Sequence, residues 1–127
     1  MESLMSVDIS SNDLTEIPYE IENMRNLERL NCSSNNIVQV SSSVSKLPRL
    51  SLLDLRSNRL HQLPQAIKDC PALSSLLLDR NSFTSVPSTM LMPPALKLLS
   101  LAGHSRGCFV LITPIPNTSL QVTRFQP

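Results

Sequence analysis

The chain has few aromatic residues and almost no glycine. Its 127 residues include no tryptophan, only 3% aromatic residues and two glycines. Two glycines cannot form a glycine-rich phosphate-binding loop, and no paired-histidine metal motif occurs. A catalytic site needs a nucleophile, a base and an orienting group held together, and the sequence shows no such set. We therefore expect no catalytic, cofactor-binding or metal-binding residues, and a chain that is not an enzyme.

Long apolar runs, cysteine pairs and an excess of charge are also missing. The N-terminus carries Glu2 and Asp8 and lacks the apolar run of a signal peptide, and the apolar stretch Cys108–Ile112 is too short to span a membrane. The net charge is +1, without a basic stripe for a phosphate backbone. Three cysteines occur without a Cys-x-x-Cys motif, and Cys32 and Cys70 occupy apolar positions. The sequence predicts a soluble, cytoplasmic chain that binds neither nucleic acid nor membrane.

The chain does contain a repeat with a constant period of 23 residues. The first leucine of each unit is Leu4, Leu27, Leu50, Leu73 or Leu96. The third unit reads LSLLDLRSNRLHQLPQAIKDCPA and follows the pattern L-x-x-L-x-L-x-x-N-x-L-x-x-L-P-x-x-I, a leucine-rich repeat with a period in the known range of about 20–29 residues. Four units are complete and the one that begins at 96 is partial. The repeat array is therefore predicted to cover residues 1–104.

Each part of the unit predicts a local structure. The L-x-L core alternates with period two, which is typical of a short strand with one buried face. Apolar residues in the second half recur at spacings of three or four, which favours a short helix or 3₁₀ segment, and Pro18, Pro64 and Pro87 stand where that segment begins. The asparagine column (Asn12, Asn35, Asn58, Asn81) is expected to pair backbone groups where the strands turn.

The pattern resembles the 23-residue class of intracellular leucine-rich repeat proteins, which includes Ras-signalling scaffolds and the plant intracellular Ras-group proteins. The resemblance covers residues 1–103. It implies an α/β solenoid, a curved horseshoe segment with a parallel concave sheet and short helical or 3₁₀ convex segments. It also implies a non-catalytic scaffold, a monomer in signal transduction that binds a protein partner through its concave face. The partner's identity stays open, with a small GTPase or a phosphatase as examples.

Both ends of the array depart from the pattern. Met1 stands three residues before Leu4, in the final apolar position of a preceding unit, which predicts an internal start or a fragment. His104 stands where asparagine is due, and residues 105–127 lose the register. These residues are predicted to be an irregular or disordered tail, or a cap in which 109–112 form a covering strand. The alternative functions are an inert truncated isoform and the recognition arm of a longer multidomain signalling protein or enzyme.

The candidate partner-binding surface consists of the variable residues on the concave strands. The predicted site residues are Arg29, Leu52, Asp54, Arg56, Leu77, Asp79 and Arg80. Two exposed leucines, Leu52 and Leu77, would form an apolar centre with charged residues around it, as in many interaction hot spots. The alternative is a solvated face whose leucines are incidental, and the lack of a concave aromatic residue favours it.

Overall fold

The computed structural model describes residues 3–62, 65–83 and 93–101. Within these ranges, strands of three residues form one parallel sheet in chain order. The strands are β1 (Ser6–Asp8), β2 (Arg29–Asn31), β3 (Leu52–Asp54), β4 (Ser75–Leu77) and β5 (Leu98–Ser100). Each residue faces the residue 23 positions later, as Ser6 faces Arg29. The structure confirms the predicted leucine-rich repeat solenoid with its parallel sheet.

The return segments opposite the sheet are short 3₁₀ helices. They span Tyr19–Asn23, Ser42–Lys46 and Gln65–Asp69. Pro18 is the N-cap of the first helix, with a φ of −57° that suits proline. In the second unit Ser41 takes this place, and its hydroxyl accepts a hydrogen bond from the Ser43 N–H at 3.4 Å. The prediction for Pro64 and Pro87 falls outside the described residues.

The core is a stack of aliphatic layers, one per coil. In the second coil, Leu27, Leu30 and Leu47 are fully buried. Burial of one leucine side chain contributes about 1.5–3 kcal/mol, so each layer adds several such increments. The first coil is less protected, because among the described residues it has a neighbouring coil on one side only. There Leu4 is 39% exposed, and Val7 is only partly buried.

The asparagine column connects each coil to the one before it. The Asn58 Nδ2 donates to the carbonyls of Leu55 and Arg56 in its own coil and to that of Cys32 in the preceding coil, at 3.0–3.2 Å. Its Oδ1 accepts from the Ile37 N–H at 3.0 Å. Equivalent bonds are made by Asn35 and Asn81. The column therefore pairs backbone groups of two neighbouring coils, which confirms its predicted role.

The residue before each asparagine has a left-handed backbone. The φ angles are 57° at Ser11, 56° at Ser34, 58° at Ser57 and 55° at Arg80. A residue with a Cβ in this region costs roughly 1–2 kcal/mol relative to an ordinary conformation. The turn persists because the flanking ladder fixes it: the Ser34 N–H donates to the Arg56 carbonyl at 2.9 Å in the next coil.

We expect Asn58→Ala to destabilise the fold much more than Asn12→Ala. Asn58 is buried, and its loss leaves the Ile37 N–H unpaired and removes one hydrogen bond from each of three carbonyls, which lowers the free energy of unfolding by about 2–3 kcal/mol. Asn12 is exposed, and its amide donates only within its own coil, so its loss should cost under about 1 kcal/mol. Urea unfolding followed by circular dichroism measures both, and equal losses would contradict the inter-coil role.

Ser34→Gly is expected to stabilise the protein by up to about 1 kcal/mol, because glycine adopts the left-handed backbone without steric cost. Ser34→Val should destabilise it, because a β-branched residue is least tolerant of positive φ. Ser34 is exposed, so neither change alters the core. The comparison is the difference in urea midpoint between the two variants. If their midpoints were the same, backbone strain at this position would be ruled out.

Candidate functional site

The concave surface is formed by the first and last residues of each strand. Side chains alternate along a strand, so the middle residue points to one face and its neighbours to the other. The middle residues Leu30, Leu53, Leu76 and Leu99 are buried in the core. The two flanking residues of each strand, together with the residues that follow the strand, therefore form the surface available to a partner.

The predicted apolar centre is present, but its leucines are less exposed than expected. Leu52 opens β3 and Leu77 ends β4, and both are half-buried, because the strands on either side cover part of each side chain. Leu98, which opens β5, is half-buried in the same column as Leu52. The three leucines therefore alternate between the two outward positions across three adjacent strands. Leu98 is missing from the predicted set, although its place in the repeat already indicated this position.

Asp54 differs most from its predicted role at the charged rim. Its side chain is only 5% exposed, and it forms an ion pair with Arg56. The Arg56 Nε donates to Oδ1 at 2.9 Å and its Nη2 to Oδ2 at 2.7 Å. The hydrogen bonds to Asp54 raise the pKa of Arg56 above its ordinary value. Asp54 therefore orients Arg56, and the arginine side chain, 41% exposed, meets the solvent.

The remaining predicted residues lie at different depths. Asp79 is half-buried and accepts a hydrogen bond from the Ser100 hydroxyl at 2.6 Å. Arg80 is exposed, and its Nε donates to the Ser57 hydroxyl at 2.9 Å in the preceding coil. Arg29 is exposed opposite Leu52 and lines an open pocket with Met5, Ser6 and Glu28. Whether these residues bind a partner stays a prediction.

The last residue of each of the first three strands has a structural role that the sequence prediction missed. Asp8, Asn31 and Asp54 each accept the backbone N–H of the residue two positions later, at 2.9–3.1 Å. At Asp8, the side-chain and backbone hydrogen bonds from Ser10 lower the pKa of the carboxyl group. An Asp or Asn two residues before a turn is the sequence signal for this local bond. These side chains therefore stabilise the chain where it leaves the strand.

No cofactor or metal site is apparent among the described residues. Groups of three or more His, Cys, Asp or Glu side chains that could hold a metal are absent from them. Nor do the described ranges contain a helix with the length and apolar character to cross a membrane. Cys32 is a free thiol, and both Cys32 and Cys70 are buried, in agreement with their predicted place in the core. Burial raises the pKa of the Cys32 thiol to about 12 and that of Cys70 to about 11.

Comparison with known proteins identifies the repeat independently. A family model described as leucine rich repeat matches residues 2–60 and 25–83. The comparison with curated proteins gave no match.

Solved structures share the fold. A leucine-rich repeat protein of Leptospira interrogans is 29% identical with a TM-score of 0.65, over 90% of this chain and 31% of that one. Internalin C2 from Listeria monocytogenes is 21% identical with a TM-score of 0.76, over 98% of this chain and 53% of its own. The plant peptide hormone receptor RGFR1, solved in complex with RGF2, is 24% identical with a TM-score of 0.65, over 80% of this chain and 18% of its own. The chain thus spans about half or less of the length of these proteins.

The two buried thiols should resist modification in the folded protein. In a Cys108→Ser variant at about pH 8, we expect a thiol reagent to label Cys32 and Cys70 only after urea is added, because the reactive thiolate is scarce when burial raises the pKa. Above the ordinary thiol pKa of 9.0, the unfolded chain loses these protons and the folded chain keeps them, so stability should fall from about pH 9 towards 11–12. Rapid labelling of the native protein would show that these positions open.

Proposed function

Because the chain belongs to the leucine-rich repeat family, we propose that it is a non-catalytic interaction module that binds a protein partner through its concave face. Domains of this family generally mediate protein–protein interaction. One observation supports the concave face in particular. Leu52, Leu77 and Leu98 are half-buried on the concave side of the sheet, while the middle leucines of the same strands are fully buried in the core. Protein interfaces typically have an apolar core and a polar rim, and arginine is enriched among the residues that contribute most to binding.

The proposal extends to a scaffold role in signal transduction and to a cytoplasmic location. Cys32 supports this location, because it is a free thiol, as is usual in a reducing compartment. The plant peptide hormone receptor RGFR1, solved in complex with RGF2, supports the view that a protein of this fold can bind a polypeptide ligand. The partner of this chain, such as a small GTPase or a phosphatase, is selected by the variable concave residues.

We expect the double variant Leu77→Arg, Arg56→Glu to abolish capture of partner proteins, because it places a charge within the apolar centre and reverses one charge beside it. The measurement is quantitative mass spectrometry of proteins retained from a cell lysate by the immobilised chain. Since Arg56→Glu places a second carboxylate beside Asp54, circular dichroism melting must show that the variant is folded at the temperature of capture.

A matched control carries the same chemical changes on the convex side. Tyr19→Arg with Lys46→Glu alters two exposed residues of the 3₁₀ helices, and we expect this variant to retain the proteins that the parent captures. Equal capture by the parent and the concave double variant, or equal loss in both double variants, would refute binding through the concave face.

A further inference from the structure

On the concave side of the third and fourth coils, the positively charged side chains are more exposed than the negatively charged ones. The Asp54 side chain is 5% exposed, whereas that of its partner Arg56 is 41% exposed. In the next coil Asp79 is half-buried and Arg80 is exposed. Although the formal charges balance, the guanidinium groups are more exposed to the solvent than the carboxylates. The exposed Lys97, at the start of the fifth coil, adds charge of the same sign, while the exposed acid Asp8 is in the first coil.

Both arginines are held before any partner arrives. Arg56 is fixed by two hydrogen bonds to one carboxylate, and Arg80 by one bond to the Ser57 hydroxyl. Among the described residues, Nη1 of Arg56 and both Nη1 and Nη2 of Arg80 have no hydrogen-bond partner, so these groups can donate to a ligand. A held guanidinium loses less conformational entropy on binding, and its donors match the geometry of a carboxylate.

Of the three half-buried leucines, Leu77 ends its strand on the side where the arginines follow, and Leu52 and Leu98 open the two neighbouring strands. Arg56 follows β3 by two residues and Arg80 follows β4 by three, so the cations border the strand ends where Leu77 is placed. We define the concave patch as Leu52, Arg56, Leu77, Arg80 and Leu98. A nucleic acid would need a broad basic surface and aromatic residues for stacking, and the chain has a net charge of +1 and no tryptophan. An apolar centre beside oriented arginines suits an acidic polypeptide instead.

We propose that the concave patch binds an acidic segment of a protein partner, with its carboxylates on Arg56 and Arg80 and an apolar side chain against Leu52, Leu77 and Leu98. The inference rests on the proposed function and specifies the chemistry of the partner. Charge complementarity carries it, because the charges of the patch are cationic and the neighbouring carboxylates of Asp54 and Asp79 are already bonded to Arg56 and Ser100.

The first test uses fluorescein-labelled peptides and the whole chain. In the probe peptide, glutamates flank a pair of leucines; in one control the glutamates are replaced by glutamine, and in another the leucines by serine. Fluorescence anisotropy should show affinity for the probe at least about tenfold above that for either control, and weaker binding when salt is raised from about 50 mM to about 200 mM. Failure of the probe to bind at millimolar concentration, equal binding of the glutamine peptide, or equal binding of a single-stranded oligonucleotide would overturn the proposal.

A matched pair of glycine variants separates charge from stability. Arg80→Gly and Ser34→Gly change the same position of two different units, and both relieve a left-handed backbone, so both should fold at least as stably as the parent. We expect Arg80→Gly to bind the probe peptide about tenfold more weakly and Ser34→Gly to bind it as the parent does. Unchanged binding by Arg80→Gly, or equal weakening in both variants, would refute the role assigned to Arg80.

The two proposals can fail separately. If the double variant Leu77→Arg, Arg56→Glu loses its captured proteins while the glutamate and glutamine peptides bind alike, the concave face is the binding surface and the acidic partner is wrong. If the convex double variant loses those proteins equally, the concave interaction itself is wrong.

Discussion

The fold depends on buried asparagine side chains that pair the backbone of one coil with that of the next. Strands of three residues provide few ladder bonds, and the chain then turns through a left-handed residue that leaves N–H and carbonyl groups without a strand partner. The Asn58 side chain forms hydrogen bonds with four backbone groups in two coils. Because the turn is fixed in this way, the concave positions of successive coils are aligned, and so are the side chains that a partner would meet.

Most of the fold could be predicted because each structural requirement recurs in the sequence at the same interval. The column of asparagines, the buried leucines and the strand positions are each seen four or five times, so one irregular unit, such as the one with Ser41 in place of proline, does not hide them. The exposure of Leu4 was not predicted, because a repeat pattern gives the same character to every unit, whereas the first coil has a neighbour on one side only among the described residues.

The candidate site was harder to predict, because the repeat pattern identifies which positions vary and not what each side chain does there. Asp54 and Arg56 occupy two variable positions, yet they bind each other and leave only the arginine exposed. The two residues of this ion pair are two positions apart. The 23-residue period does not predict which side chains bind each other at that separation. The result is a surface whose formal charge and exposed charge differ. The local hydrogen bonds at the variable positions account for the difference between the formal charge and the exposed charge.

Because the register is constant, equivalent positions on the concave face repeat at a fixed interval, which is the spacing between neighbouring strands. Neighbouring strands lie about 4.8 Å apart, so the two intervals from β3 to β5 cover about 9.6 Å. Two turns of an α-helix laid across the strands rise about 10.8 Å, whereas an extended chain presents side chains on one face every 6.7 Å or so and would cover about 13.4 Å. A helix therefore stays nearly in step with the coils, whereas an extended chain that crosses them runs ahead by about 3.8 Å, most of one strand spacing.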